Sequence, residues 1–199
     1  MIEPSPQRAL AEIAAWLSAR RVSFALVGGL AVSIRGEVRF TRDVDLALAV
    51  SEAELEALIR DLRAARYAIH SLVEHDVARR TATVRLVTRD AIHVDLLAAS
   101  SGIEQEIVGR ATPIDIPSVG LVPVATAEDL VATKVLAMTD RRRRDFDDAI
   151  GLILANPSLD LAAVRERLSL ITARGFHREQ DLEAKLAAVL SAVDAEKTS

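Results

Sequence analysis

The sequence predicts an α/β (α+β) fold: a mixed β-sheet with flanking helices, followed by a C-terminal helical bundle. Three observations carry that expectation. Short apolar runs bounded by turn residues alternate with capped helical segments through the first 124 residues. From Thr126 onward only helix starts occur. Half of the 199 residues are hydrophobic and 27% are charged, enough apolar mass for a sizeable core. The chain therefore divides at a composition shift into an α/β core, residues 1–124, and an α-helical region, residues 125–199, expected to pack on it.

Taken in order, Ser5-Pro6 opens a helix whose face carries Leu10, Ile13, Ala14 and Leu17. Phe24 to Val27 is an apolar run stopped by Gly28-Gly29, which reads as a buried strand meeting a tight turn, with a short helix over 30–34. Residues 44–50 form a second strand. Ser51-Glu52-Ala53-Glu54 is a capping box that opens a helix to about Arg66. Strands follow near 67–73, 81–88 and 91–98, the last two as a hairpin around Arg89-Asp90. Ser101-Gly102-Ile103-Glu104 caps a short helix, and residues 112–117 and 121–124 are extended. Helix starts then fall at Thr126, Asp140, near Asp160 and near Arg178.

Composition excludes several classes of function. The 25 Lys and Arg stand against 29 Asp and Glu, a net charge of −4, which argues against nucleic acid held mainly by charge. Aromatic residues make up 3%, too few for a single-strand stacking platform. Without Cys there is no disulfide scaffold, thiolate metal site or thiol nucleophile. No run reaches the ~18 apolar residues of a membrane span, and Met1-Ile2-Glu3-Pro4 is not a signal peptide, so a cytoplasmic protein without a membrane partner is expected.

The chemistry concentrates in Arg39-Phe40-Thr41-Arg42-Asp43-Val44-Asp45. Residues two apart on a strand face the same way, so Asp43 and Asp45 project together from the start of an apolar strand. Two close carboxylates repel, so either one is protonated or a cation lies between them. Oxygen ligands and the absence of Cys favour a hard ion such as Mg²⁺. A solvated strand start with Asp as turn residues is the plainer alternative. In His93-Val94-Asp95, Asp95 is a carboxylate within an apolar strand, a place where an acid needs a partner. If that strand neighbours Asp43 and Asp45, three carboxylates converge, enough for a two-metal phosphoryl-transfer site. Gly28-Gly29, between strand and helix, offers close backbone approach and free N–H groups for a phosphate, or is simply a turn. Lys134 sits at the edge of the apolar rows of the Thr126 helix; it either snorkels to solvent or reaches carboxylates or a phosphate. The run Asp140 to Asp148 holds four consecutive Arg. Its Arg141–Asp145 and Arg144–Asp148 spacings, with nine acids against nine bases over residues 128–180, point to a charge-laced helix start rather than a nucleic-acid patch.

Gly28-Gly29, Arg39-x-Thr41-x-Asp43-x-Asp45, His93-x-Asp95, Glu128-Asp129-Leu130 with Lys134, and Arg144-Asp145-x-x-Asp148, in this order, resemble the nucleotidyltransferase superfamily. In particular they resemble its AbiEii/MenT-like group of minimal enzymes, several of which are toxins of toxin–antitoxin pairs. The resemblance covers about residues 20–155. It implies a nucleotidyltransferase-type mixed sheet and Mg²⁺-dependent (or Mn²⁺-dependent) transfer of a nucleoside monophosphate from an NTP to a hydroxyl, with release of pyrophosphate. It further implies metal binding by Asp43, Asp45 and Asp95, with Asp95 as ligand or base, and Lys134 as a catalytic contact to the nucleotide phosphates. Gly28, Gly29, Arg39, Thr41, Arg144, Asp145 and Asp148 complete the implied nucleotide site. Many members carry Gly-Ser where this chain has Gly28-Gly29, which leaves backbone donors alone. The implied partners are an NTP, a tRNA or other acceptor, and a cognate antitoxin. Transfer to a small molecule of the aminoglycoside type, and a non-catalytic interaction protein on the same fold, are the competing functions; three intact carboxylates argue against the second.

Overall fold

The computed structural model describes residues 5–38, 40–75, 80–139 and 143–198. Arg39 and residues 140–142, with the expected helix start at Asp140 and the Arg141–Asp145 pair, lie outside the described residues. The chain resolves into two compact units. The first comprises Met1–Leu30, Phe40–Ser100 and Glu104–Ala125; the second comprises Ala31–Arg39, Ser101–Ile103 and Thr126–Ser199.

The first unit is built on seven strands: β1 (Phe24–Val27), β2 (Val44–Leu48), β3 (Ala68–His75), β4 (Arg80–Val87), β5 (His93–Leu97), β6 (Thr112–Ile116) and β7 (Gly120–Val124). They form one mixed sheet of order β3-β4-β5-β2-β1-β7-β6. β2 pairs with β5 and β1 with β7 in parallel, and the remaining neighbours are antiparallel. The central strands are the apolar ones. All four residues of β1 are buried, and in β2 only Asp45 is not. Strands buried on both faces read as continuous apolar runs, which is how β1 is legible in the sequence.

Helices α1 (Pro6–Ala19), α3 (Glu52–Ala64) and α4 (Glu104–Arg110) belong to this unit. Leu10, Ile13 and Leu17 of α1 are buried at helical spacing. The Ser51 capping box forms as its sequence requires: the Ser51 N–H donates to Glu54 Oε2 at 2.7 Å and the Glu54 N–H donates to Ser51 Oγ at 3.3 Å. The helix α2 (Gly28–Arg35) begins directly at Gly28, two residues earlier than the sequence suggests. Gly28 adopts φ +63°, so the chain turns from strand into helix within one residue.

The second unit holds α5 (Ala127–Ala137), α6 (Arg143–Ala155), α7 (Leu161–Ala173) and α8 (Leu182–Lys197), with α5 packed against the other three. α5 is buried nearly all round, as an apolar central helix should be. Its Thr126 cap accepts from the Asp129 N–H at 3.2 Å. α8 starts at Leu182 under an Asp181 cap rather than near Arg178, because Arg178 and Glu179 take φ +55° and +57° and cannot be helical. No helix among the described residues is long and apolar enough to cross a membrane.

Candidate active site

The carboxylates gather through strand register. Asp45, the second residue of β2, is paired with Asp95 of β5, and Asp95 is paired in turn with Arg85 of β4. On its other side Asp45 pairs with Val27, the last residue before Gly28. Directly paired residues present their side chains on one face, so a row of charge crosses β4, β5 and β2 and ends at the β1–α2 turn. Asp43 is exposed and immediately precedes β2, two residues from Asp45. Thr41 is half-buried in the same approach to the strand, and Phe40 and Arg42 are exposed.

Asp95 is 8% exposed, and its carboxylate is held by a two-pronged contact: Arg85 Nε donates to Oδ1 at 2.7 Å and Nη2 to Oδ2 at 2.5 Å. This fork-on-carboxylate geometry is the strong form of the ion pair. The hydrogen bonds to Asp95 hold the Arg85 guanidinium above its ordinary pKa; burial opposes this, and the charges of Asp95, Asp43 and Asp45 add to the rise. Arg85 was not singled out from the sequence, although a signal for it exists. A hairpin centred on Asp90 sets residue 85 opposite residue 95, and Arg85 is the one charge inside Thr83-Val84-Arg85-Leu86-Val87.

At the other end of the row, Asp45 lies against Gly28. A Cβ built on Gly28 would stand 2.0 Å from Asp45 Oδ2. Only glycine fits, for reasons of both space and positive φ. The Asp45 carboxylate thus rests at the first residue of α2, where a helix terminus favours negative charge. His93 shares its strand face with Asp95, and its ring packs edge-on to His70 at 5.8 Å between centroids. The His93 Nδ1 is buried without a hydrogen-bond partner among the described residues.

In the second unit, Lys134 does not snorkel. It is 9% exposed, and its Nζ lies 2.8 Å from Asp145 Oδ1 and 2.7 Å from Asp148 Oδ2. α6 is charge-laced at its start, with Arg143, Arg144 and Asp147 exposed, but two of its three acids, Asp145 and the buried Asp148, turn to the lysine of α5. Arg144 is exposed. Asp129, fully buried, receives Arg167 Nε at 2.6 Å, an ion pair joining α5 to α7 that the sequence did not disclose.

Among the described residues no group of three or more His, Asp or Glu side chains forms a ready-made metal cluster, and each Asp95 oxygen accepts a hydrogen bond from Arg85. Asp43, just ahead of β2, and Asp45, within it, are the further carboxylates of this stretch. That donor set suits Mg²⁺, which is commonly held by one or two carboxylates together with substrate phosphates. A groove lined by Ala11, Ala14, Ser18, Phe24, Val108 and Leu121 contains none of these residues and takes no part in the row.

The family model described as nucleotidyl transferase AbiEii toxin, type IV toxin–antitoxin system, matches residues 8–197. No curated protein matches the chain. Among solved structures, the chain is similar to the antibiotic-resistance factor ANT(2'')-Ia in solution, with 17% identity, 87% of this chain and 94% of that chain covered, and a TM-score of 0.53. This likeness places the chain in the nucleotidyltransferase-like fold. Also similar is an antigenic nucleotidyltransferase-like protein from Paracoccidioides brasiliensis, at 18% identity, 92% coverage of each chain and a TM-score of 0.49.

Proposed function

Because the chain belongs to the AbiEii family of nucleotidyl transferase toxins of type IV toxin–antitoxin systems, we propose that it moves a nucleoside monophosphate from an NTP to a hydroxyl of an RNA acceptor, tRNA foremost. The observation that carries this reading is the in-register pairing of Asp45 with Asp95, with Asp43 at the head of the same strand and the Gly28 turn at the end of the row. Two carboxylates paired in register, with a third just ahead of the same strand, are costly to gather and serve little purpose in a merely structural protein.

Asp43 and Asp45 hold the divalent cation in this reading. When bound, Mg²⁺ supplies positive charge against the α-phosphate and the departing pyrophosphate. The residues do the rest. Asp95 orients the acceptor hydroxyl and takes its proton on a carboxylate oxygen as the hydroxyl oxygen attacks the α-phosphorus. The bond between the α-phosphorus and the bridging oxygen breaks, and pyrophosphate leaves with those electrons. Gly28 and Gly29, at the start of α2, are assigned to the polyphosphate on the family pattern. Thr41 and Arg39 flank the metal-binding acids in sequence and belong to the same nucleotide site. Lys134, with Arg144, Asp145 and Asp148, is assigned to nucleotide use on the family pattern. The toxin acts in the cytoplasm, opposed by a cognate antitoxin.

The test is incubation of the protein with each α-labelled NTP, Mg²⁺ and total RNA. Label on a discrete RNA band, dependent on Mg²⁺, is expected. Label that appears only when an aminoglycoside-type small molecule is supplied would replace RNA as the acceptor class, and no transfer at all would overturn the reading.

A further inference from the structure

Arg85 is the charged residue of the carboxylate face to which the proposed chemistry gives no task. It stands in the middle of β4 between Val84 and Leu86, which are 0% and 1% exposed. The two partners meet solvent unequally: the Asp95 side chain is 11% exposed and that of Arg85 44%. The carboxylate is enclosed, and the guanidinium reaches it from the open side. Asp43 and Asp45 act on the same guanidinium through space. A guanidinium cannot give up its charge, and its planar fork uses one lone pair on each carboxylate oxygen. Positive charge at Asp95 is therefore already supplied from within the chain.

We infer that Arg85 is a positioning residue that opposes the divalent cation: its fork fixes the Asp95 carboxylate beside Asp45, and its charge competes with a cation held by Asp43 and Asp45 for the same carboxylate field. The inference rests on the metal reading given above. Its consequence is coupling. The triphosphate of the incoming nucleotide offers the guanidinium a further anion and relieves that competition. Cation and nucleotide then strengthen each other's binding, and by reciprocity each does so by the same factor. Without nucleotide, the cation meets a site whose neighbouring carboxylate, Asp95, is already paired with a positive charge.

The experiment is Mn²⁺ binding, followed by electron paramagnetic resonance on the whole chain without nucleotide, for the native protein, Arg85→Ala and Arg85→Gln. Both variants are expected to bind Mn²⁺ more tightly than the native protein, Arg85→Ala by at least about tenfold, equivalent to ~1.4 kcal/mol. A purely structural role for Arg85 predicts the opposite, because loosening Asp95 would weaken the site. Arg85→Gln retains a hydrogen bond to Asp95 and decides the matter if Arg85→Ala fails to fold. Equal or weaker Mn²⁺ binding by the variants, with binding by the native protein intact, overturns this inference and leaves the metal reading standing. Mn²⁺ binding by none of the three proteins overturns both.

Discussion

The Asp45 carboxylate lies so close to Gly28 that a single added carbon on that glycine would come within 2.0 Å of Oδ2 and 2.5 Å of Cγ. Strand β2 and the start of α2 are fitted to each other through this contact, with no room for a side chain between them. Gly28→Ala therefore meets two obstacles: displacement of Asp45, and a positive φ that costs an L-residue roughly 1–2 kcal/mol. The expected outcome is a stability loss above about 1 kcal/mol in urea denaturation, with loss of transfer. A midpoint within about 0.3 kcal/mol of the native value would mean that Asp45 does not press on the turn.

Lys134 stands between two carboxylates with little access to water. Truncating one member of a buried ion cluster leaves the others uncompensated, at a typical cost of ~3–5 kcal/mol. Lys134→Ala should accordingly lower stability by that order, measured by chemical denaturation with an unchanged m-value. A loss under about 1 kcal/mol would show that water or neighbouring groups solvate Asp145 and Asp148 once the lysine is gone.

The sequence carries the local devices well. The Phe24–Val27 run ended by glycines, the Ser51–Glu54 box and the Thr126 cap are each set by neighbouring residues, and each stands where that chemistry puts it. α2 starts two residues before the expected position because Gly28 serves as both turn and first helical residue. What is not local was less legible. Arg85 meets Asp95 only through the β4–β5 register, and Arg167 meets Asp129 across 38 residues of chain. Asp145 and Asp148 are also held by Lys134, which stands on another helix. Burial decides such partnerships, and burial is set by how whole helices pack.

Asp129 gives an independent check on the second unit. It is fully buried and receives Arg167 at 2.6 Å. Arg167→Ala is expected to destabilise the chain by ~3–5 kcal/mol. Joint replacement of Arg167 and Asp129 by apolar residues should cost much less than the sum of the single changes, since no charge is then stranded. A double-mutant cycle on thermal or urea midpoints measures the coupling; additive losses would contradict a direct pair.

In the proposed reaction Asp43 works in chemistry and not in folding. It is exposed and precedes β2, so the fold has little to lose with its carboxylate. The most direct measurement compares Asp43→Ala with the native protein in transfer of labelled nucleoside monophosphate to RNA, with urea denaturation of the same two samples. Transfer should vanish in Asp43→Ala while stability changes by no more than about 0.5 kcal/mol, the usual range for surface substitutions. Undiminished transfer by a folded Asp43→Ala protein, or loss of transfer explained by unfolding, would contradict the account.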